Sequence, residues 1–517
     1  MAGDVQIRAG RREWSALVVL ALPTLLVSID IFVLLLALPS ISAELEAGGT
    51  QQLWLVDVYG FMVAGLLVTM GNLGDRIGHR RLLLIGVAAF GVASVAAAYS
   101  TGPETLIAAR ALLGVAGAAL GPTTLALISN MFRDEKERGL AISVWAACFS
   151  IGAIVGPVIG GVMLEHFWWG SVFLLAVPPM AITLVLAPLL LPESTGERGG
   201  RVDLGSVALS LLAVLPFVYG VKELARHGWR TGPALALAVG VFFAVRFLRR
   251  QRRLADPLLD LSLFRSGAFN TALVSMFFYT MLTGTTMMFI TQFFPSVAGM
   301  SPMEAGLGLL PGLALGILSL MAAPVLSTRV PPFRLVAGGL LLTVAGLAMV
   351  ALSDGAAGLV AGFAVWCVGG GPLLTLGTGL VVGSVPPEKS GTASALSQIS
   401  NEFGYAVGIA TVGTVGTVVY RARLPHDMPA QVAEPVRESL ARAVAAAEGL
   451  PGGAGGDLAA SARAAFTDGL HAVAAVGAVL LLGVALLNAR TTKLPVPGQA
   501  LAPRPVAGDP PTADLQA

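Results

Sequence analysis

Three carboxylates stand where apolar side chains are the rule: Asp30 in VSIDIFVLLLALP, Asp57 in LWLVDVYGFMVAGLL and Glu402 in SQISNEFGYAVGIA. A charge at the centre of a membrane-length helix costs about 2.5–3.5 kcal/mol even on lenient insertion scales, so leucine in their place would give a more stable chain. What a carboxylate offers at depth is exchange. Burial favours its protonated form and a neighbouring cation its ionised form, and a group held between the two can trade a proton for a cation near neutral pH. Arg110, inside the run AARALLGVAG, offers a competing structural use, because a guanidinium and a carboxylate can simply neutralise each other. Both readings stand for each acid, and Asp57 is the shallowest of the three.

A carboxylate at depth presupposes a bilayer, and the composition supplies one. Of 517 residues, 55% are hydrophobic and 12% charged, with a mean hydropathy of +0.80. A soluble protein of this length carries roughly a quarter of charged residues. Here the apolar residues fall in runs of about 20, the length that crosses a bilayer as a helix. The expected fold class is an all-α polytopic membrane protein. Fourteen runs read as spans: 15–38, 52–72, 81–100, 105–129, 139–164, 168–191, 203–221, 231–248, 268–294, 304–326, 334–353, 357–384, 391–420 and 469–489. The first follows the basic stretch RAGRRE, exceeds a signal-peptide core in length and lacks a small-residue cleavage site, so it reads as a retained span. A net charge of +2, carried in loops, speaks against a nucleic-acid partner. Cys148 and Cys367 lie inside apolar runs and make neither a disulfide framework nor a metal spacing.

An even number of spans returns both termini to one side. With the N-terminus in the cytoplasm, that side carries 23 of the 32 Lys and Arg, the opposite side carries eight, and Arg110 lies within a span. Basic residues favour the inner face, so both termini are expected to be cytoplasmic. One outer loop, KELARHGWR (222–230), runs against this bias with three. The expected organisation is a cytoplasmic tail over 1–14, a six-span half over 15–191, and two extra spans with a cytoplasmic linker over 192–266. A second six-span half follows over 267–489, interrupted by an external hairpin at 421–468 that contains RESLARAVAAAE and a flexible PGGAGG. The Pro- and Ala-rich stretch 490–517 reads as a disordered cytoplasmic tail.

Internal repetition supports the two halves. GAIVGP (152–157) and GYAVGI (404–409) share GxxxG at an offset of 252. ALGPTTLALIS (119–129) aligns with GGGPLLTLGTG (369–379) at 250, and SALVV with ALPSIS matches TALVS with FFPSVA at 256. The offset covers eight spans, so two six-span halves must be separated by two more. Parallel halves around a central pathway are the architecture of one large class of secondary transporters, with the substrate site near the midplane.

After the second span comes GNLGDRIGHRR (71–81), whose Gly-x-Leu-x-Asp-Arg-x-Gly order exceeds what a positive inner loop requires. This order resembles the signature of the major facilitator superfamily. RALLGVAGA (110–118) resembles that family's span 4 motif, GAIVGPVIGG (152–161) its antiporter motif, and SIDIFVLLLALPSI (28–41) the span 1 motif of its fourteen-span drug:proton antiporters. PLLDLSLFRSGAF (257–269) extends the match, which covers about residues 10–495 and is closest to quaternary-ammonium multidrug pumps.

The resemblance implies a proton-coupled multidrug efflux antiporter that exports lipophilic cations by alternating access, as a monomer in the cell membrane. It implies that Asp30 couples protons, with Arg110 as its partner, while Asp57 and Glu402 attract cationic substrate. Gly71, Asp75, Arg76, Gly78, Arg80 and Arg81 are expected to latch the halves in the outward-open state. Gly152, Gly156, Pro157 and Gly160 are expected to pack tightly against span 8 or the second half, sealing the pathway against proton leak. The chain departs from those pumps in span 10, where Gly316 stands in the stretch that carries an acid, and at Ser397 and Gln398, which stand where they have a glutamate pair. Fewer acids imply a weaker preference for divalent cations, leaving monovalent lipophilic cations and neutral or weakly basic antibiotics.

Aromatic residues suited to a lipophilic cation are Trp54, Tyr59, Trp145 and Phe149, with Phe277, Phe278, Phe289 and Trp366 as further candidates. Ordinary packing and interfacial anchoring compete with that use. None of the four lysines follows a glycine, so no phosphate-binding P-loop exists. No cofactor is expected, and the energy must come from an ion gradient, which the resemblance implies is one of protons. No nucleophile–base or metal constellation points to an enzyme. The rival readings are a dedicated exporter of one endogenous metabolite, antibiotic or lipid, and a receptor or scaffold that no longer transports.

Overall fold

The computed structural model describes residues 9–491 apart from 48, 193–202, 228–229, 255–256, 301, 387–388, 426–427 and short stretches between 429 and 453. Of the tail expected to be disordered, 490–517, Arg490 and Thr491 belong to the last helix, and the rest lies outside the described residues, as do the first eight residues. Among the described residues every regular element is helical. In hydrocarbon a backbone N–H or C=O has no water to bond, so helices, which satisfy their own backbone, are the natural solution for this composition.

The first group of helices is α1 (Arg11–Glu44), α2 (Gly49–Ile77), α3 (His79–Ala98), α4 (Pro103–Met131), α5 (Glu135–His166), the short α6 (Ser171–Leu174) and α7 (Val177–Leu190). The second is α10 (Gly267–Ser296), α11 (Pro302–Leu326), α12 (Pro332–Ala351), α13 (Ala356–Pro372) with α14 (Thr378–Gly383), α15 (Ser390–Arg423), α16 (Leu440–Glu448) and α17 (Ala454–Thr491). Between them stand α8 (Leu204–His227) and α9 (Thr231–Gln251). Thirteen helices among the described residues are long and apolar enough to cross a membrane. The 32-residue α5 is not one of these thirteen, yet it packs along α1 inside the bundle.

The repeat seen in the sequence is a repeat in space. α1 packs on α5 and α7, α2 on α4, and α3 on α4 and α7; correspondingly α10 packs on α15 and α17, α11 on α13, and α12 on α13 and α17. The apolar interior accordingly divides into two clusters, one drawn almost wholly from α1–α7 and one from α10–α17 with the linker before them. α8 fills a seam between the halves: Leu211 packs at Gly65 of α2, and Phe217 stacks on Phe403 of α15 at 5.5 Å. α9 packs on α8, and Arg250 at its end clasps Asp203 at 2.8 and 3.0 Å. The Arg250 hydrogen bonds hold the Asp203 carboxyl well below the usual carboxylate range.

Two elements differ from the sequence reading. The last span is the distal part of a 38-residue helix that begins at Ala454, so part of PGGAGG is helical rather than a flexible break. The expected helical piece of the hairpin is present as α16, and the Tyr420 hydroxyl of α15 donates to the Val436 carbonyl ahead of it at 2.8 Å. α13 and α14 form one run interrupted by a π-helical turn, Leu373–Gly377. It follows Pro372, whose ring and missing N–H cannot sustain the α ladder.

Candidate functional site

Two of the deep acids, Asp30 and Asp57, are positioned by the first half and Glu402 by the second. On α1, Asp30 receives Arg110 Nη1 of α4 at 2.5 Å, with 9% and 1% of the two side chains exposed. Arg110 Nε also donates to the Leu55 carbonyl of α2 at 3.3 Å, and its guanidinium lies 4.8 Å from the Tyr59 ring centre. Small residues make this convergence possible. A Cβ at Gly114 of α4 would lie 2.6 Å from the Tyr59 carbonyl, and one at Gly117 would lie 2.7 Å from the Tyr59 hydroxyl. That hydroxyl is buried and has no hydrogen-bond partner among the described residues. The charges of Asp30 and Arg110 reach it, and so does that of Glu402 on α15 of the other half. Tyr59 thus lies within electrostatic reach of acids from both halves.

Glu402 is exposed, unlike Asp30, and Asp57 is buried at 7%. Tyr405, three residues after Glu402 and hence on its face, is half exposed and feels the same charge. Sequence reasoning passed over Tyr405; its spacing from Glu402 was the available signal. Gln398 Nε2 and Asn401 Oδ1, on the turn before Glu402, are buried without hydrogen-bond partners among the described residues, and Gln398 lies against Gly121 of α4. Of the aromatics, Trp54 and Phe149 are exposed, while Trp145 is buried and donates to Thr124 Oγ1 at 3.1 Å. Phe289 and Trp366 are buried in the second half's core, stacked on Phe466 and packed edge-on to Phe363, so they line no open space. Phe277 and Phe278 pack on each other and lean on that same core.

At the opposite end of α2 the halves are tied. Asp75 accepts from Gly391 N at 2.9 Å, Thr392 N at 3.0 Å and Thr392 Oγ1 at 2.7 Å, capping the first turn of α15 from another helix. His79 Nε2 sits 3.1 Å from the same carboxylate. The approach needs glycine: a Cβ at Gly71 would lie 2.5 Å from the Gly391 carbonyl. Gly78, at φ +96°, supplies the left-handed turn between α2 and α3. Asn72 accepts from Arg76 at 2.7 Å and donates to the Leu258 carbonyl of the linker. The arginines divide their tasks. Arg80 donates to the Pro188 carbonyl at 2.7 Å and, with Arg12 on Leu189 and Leu190, covers the end of α7 in its own half. Arg81 is exposed. At this end of α2, Asp75 and Gly71 make the contact with α15.

The glycine motif of α5 is seen in contact at Gly152. A Cβ there would lie 2.6 Å from Ser28 Cβ and 2.9 Å from the Leu25 carbonyl, so this glycine meets α1 of its own half. Ser28 Oγ adds a bond to the Phe149 carbonyl at 2.7 Å. Gly156 and Gly160 are buried in the same helix, and the side chain of Pro157 lies outside what is described. The equivalents Gly404 and Gly408 meet Phe277 and Met281 of α10, which is why the motif recurs. α5 touches the second half nearer its start. Gly139 lies under Pro324, and Ser143 Oγ donates to the Leu320 carbonyl at 3.0 Å beside Thr375 in the π turn.

The model of the Major Facilitator Superfamily matches residues 20–409. The chain belongs to that superfamily. It is 43% identical over 483 residues to the multidrug efflux pump LfrA of Mycolicibacterium smegmatis, covering 92% of this chain and 96% of that protein. It is 37% identical to the methyl viologen resistance protein SmvA of Salmonella typhimurium, over 91% of this chain and 97% of that one. Among solved structures the human organic anion transporter MFSD10 overlays with a TM-score of 0.62 at 14% identity, covering 92% of this chain and 99% of that one, which supports the fold. As a facilitator, the chain is a multi-pass membrane protein of a transporter family. No group of three or more potential metal ligands occurs among the described residues.

Proposed function

We propose that this chain is a proton-coupled multidrug efflux antiporter that exports lipophilic cations by alternating access. In this reading it spans the cell membrane fourteen times, counting α5, with both termini and the Asp75 end cytoplasmic. The observation that carries it is the buried Asp30–Arg110 pair beside Tyr59, with Glu402 of the other half within electrostatic reach. Similarity to a multidrug efflux pump over most of both chains supports the same conclusion.

The pair explains how a proton can displace cargo. With Asp30 ionised, Arg110 is neutralised and Glu402 and Asp57 make the site attractive to a cation. Protonation of Asp30 leaves the Arg110 charge uncompensated. Two unit charges about 6 Å apart at an effective dielectric of about 20 repel by about 3 kcal/mol, roughly a hundredfold in affinity. A proton entering from outside therefore ejects a cationic cargo, and its loss to the cytoplasm restores the site. In this reading the bonds made by Asp75 and Ser143 across the halves hold the cytoplasmic end closed, the state that accepts the proton.

The test is efflux from energised vesicles with ethidium, methyl viologen and a neutral antibiotic as cargoes. Asp30→Asn is expected to abolish acid-driven movement of all cargoes, and Glu402→Gln to weaken the cations selectively. Undiminished acid-driven efflux by Asp30→Asn would overturn the mechanism. A parent protein that moves none of the three would favour a dedicated exporter.

A further inference from the structure

The end of α9 and the linker after it form a second site, distant from the deep acids. A cavity of about 660 Å³ opens there, lined by Gln251, Arg252, Leu254, Pro257 and Asp260, and by the 3-10 helix Leu261–Arg265. Arg252 and Arg265 are exposed and have no side-chain partner among the described residues. Among the described residues the lining has one carboxylate, Asp260, and it is occupied: it accepts from Lys389 and from the Ser262 backbone. The cavity is thus a cationic enclosure whose own acid is already neutralised.

An apolar track leads to it. Val241, Val245, Leu248 and Arg252 recur at helical spacing, so they form one stripe along α9, and all four are exposed. Phe264, also exposed, lines the cavity. Orienting a helix in a bilayer requires arginines at its inner end, and the additional Arg246, Arg249, Arg250 and Arg253 serve that purpose. Orientation alone requires neither a cavity nor an arginine at the foot of an exposed apolar stripe. An amphiphile with a negative head and long hydrocarbon chains matches both features.

We propose that this cavity binds the phosphate-bearing head of an anionic phospholipid, with Arg252 and Arg265 as its phosphate partners and its acyl chains along the Val241–Val245–Leu248 stripe. The consequence reaches both halves, because the same linker is held by Asn72 of α2 through the Leu258 carbonyl and by Lys389 before α15 through Asp260. A bound lipid stiffens the segment that straddles the seam. The inference requires the chain to lie in a bilayer and does not depend on what it exports.

Native mass spectrometry of the full chain released from detergent tests it, with phosphatidylglycerol, phosphatidylethanolamine of identical chains, and inorganic phosphate as probes. Phosphatidylglycerol is expected to be retained in preference to phosphatidylethanolamine. The double variant Arg252→Gln/Arg265→Gln is expected to lose that preference about thirtyfold, the equivalent of about 2 kcal/mol for two basic residues facing an anionic head. Val245→Asp/Leu248→Asp, which spoils the track and keeps both arginines, is expected to weaken retention of both lipids alike. A control at the other end, Arg421→Gln/Arg423→Gln, is expected to change nothing. Equal retention of the two lipids by the parent overturns the proposal, as does an arginine double variant that binds like the parent. Displacement of phosphatidylglycerol by millimolar inorganic phosphate also overturns it, since the site would then recognise phosphate without the chains.

Discussion

Removing the Asp75 carboxylate should release the tie between the halves, and its size follows from the hydrogen bonds it accepts. Three donors of α15, at 2.7, 2.9 and 3.0 Å, converge on this one buried side chain. Hydrogen bonds to ionised groups contribute about 1.5–3 kcal/mol each, but three on one acceptor are not additive, and water replaces some of them when the halves part. A net loss of about 3 kcal/mol on Asp75→Ala is therefore reasonable, about a hundredfold in the conformational equilibrium. A population of about 99:1 in favour of the tied state would become about 1:1. Asp75→Asn, which keeps one acceptor oxygen without charge, should fall between. The readout is the spin-label distance between Arg133→Cys and Arg329→Cys, exposed positions beside helices of opposite halves at this end, in a background where Cys148 and Cys367 are serine. A second, longer distance should appear in the alanine variant and grow at the expense of the parental one. If Asp75→Ala gives the parental distance distribution under the same conditions, the carboxylate does not hold the halves together and the reasoning fails.

Four further outcomes are expected. Arg110→Gln strands Asp30 and should lower stability by about 3–5 kcal/mol, read as a fall in melting temperature, whereas Asp30→Asn/Arg110→Gln should recover much of it; additive losses in that cycle would contradict the pairing. Tyr59→Phe removes a hydroxyl that is buried without a partner, so melting should be unchanged or raised by up to about 1 kcal/mol, while efflux falls if the hydroxyl bonds cargo in the loaded state. Gly152→Leu forces a side chain into Ser28 and should cost about 3 kcal/mol or more in thermal stability, with Gly156→Leu compared in parallel for leak. At Asp260, burial raises the carboxyl, but hydrogen bonds from Lys389 and Ser262 outweigh it and hold the group at about 2. The folded value lies below the unfolded one near 4, so the tie contributes fully above about pH 4 and is lost as pH falls through about 2. Thermal melts between pH 5 and 2 should show that loss in the parent and not in Asp260→Asn.

Much of the site could be read in one dimension because depth in a bilayer is a one-dimensional property. Asp30, Asp57, Glu402 and Arg110 were marked by sitting in apolar runs, and their cost there holds whatever they touch. Helix existence was legible for the same reason: a run of about 20 apolar residues has no other stable state in hydrocarbon. The order and the doubling of the halves followed from GxxxG recurring at a fixed offset, because Gly152 and Gly404 do the same packing task in each half.

Which faces meet was not legible. Helical periodicity gives each residue a direction around its own axis, and the rotation of one helix against another is set by all the contacts together. So Gly152 turned out to face α1, Arg80 served α7, and Phe289 and Trp366 were core rather than cavity. Tertiary structure alone brought Tyr59, from the first half, within reach of charges on both, and set Asp75 on the start of a helix more than 300 positions away. Composition and spacing determined that this chain crosses a membrane and carries acids inside its apolar runs. Only the packing of helix on helix, a sum of close approaches that no single segment encodes, decided that Asp30 faces Arg110 and where the two halves hold each other.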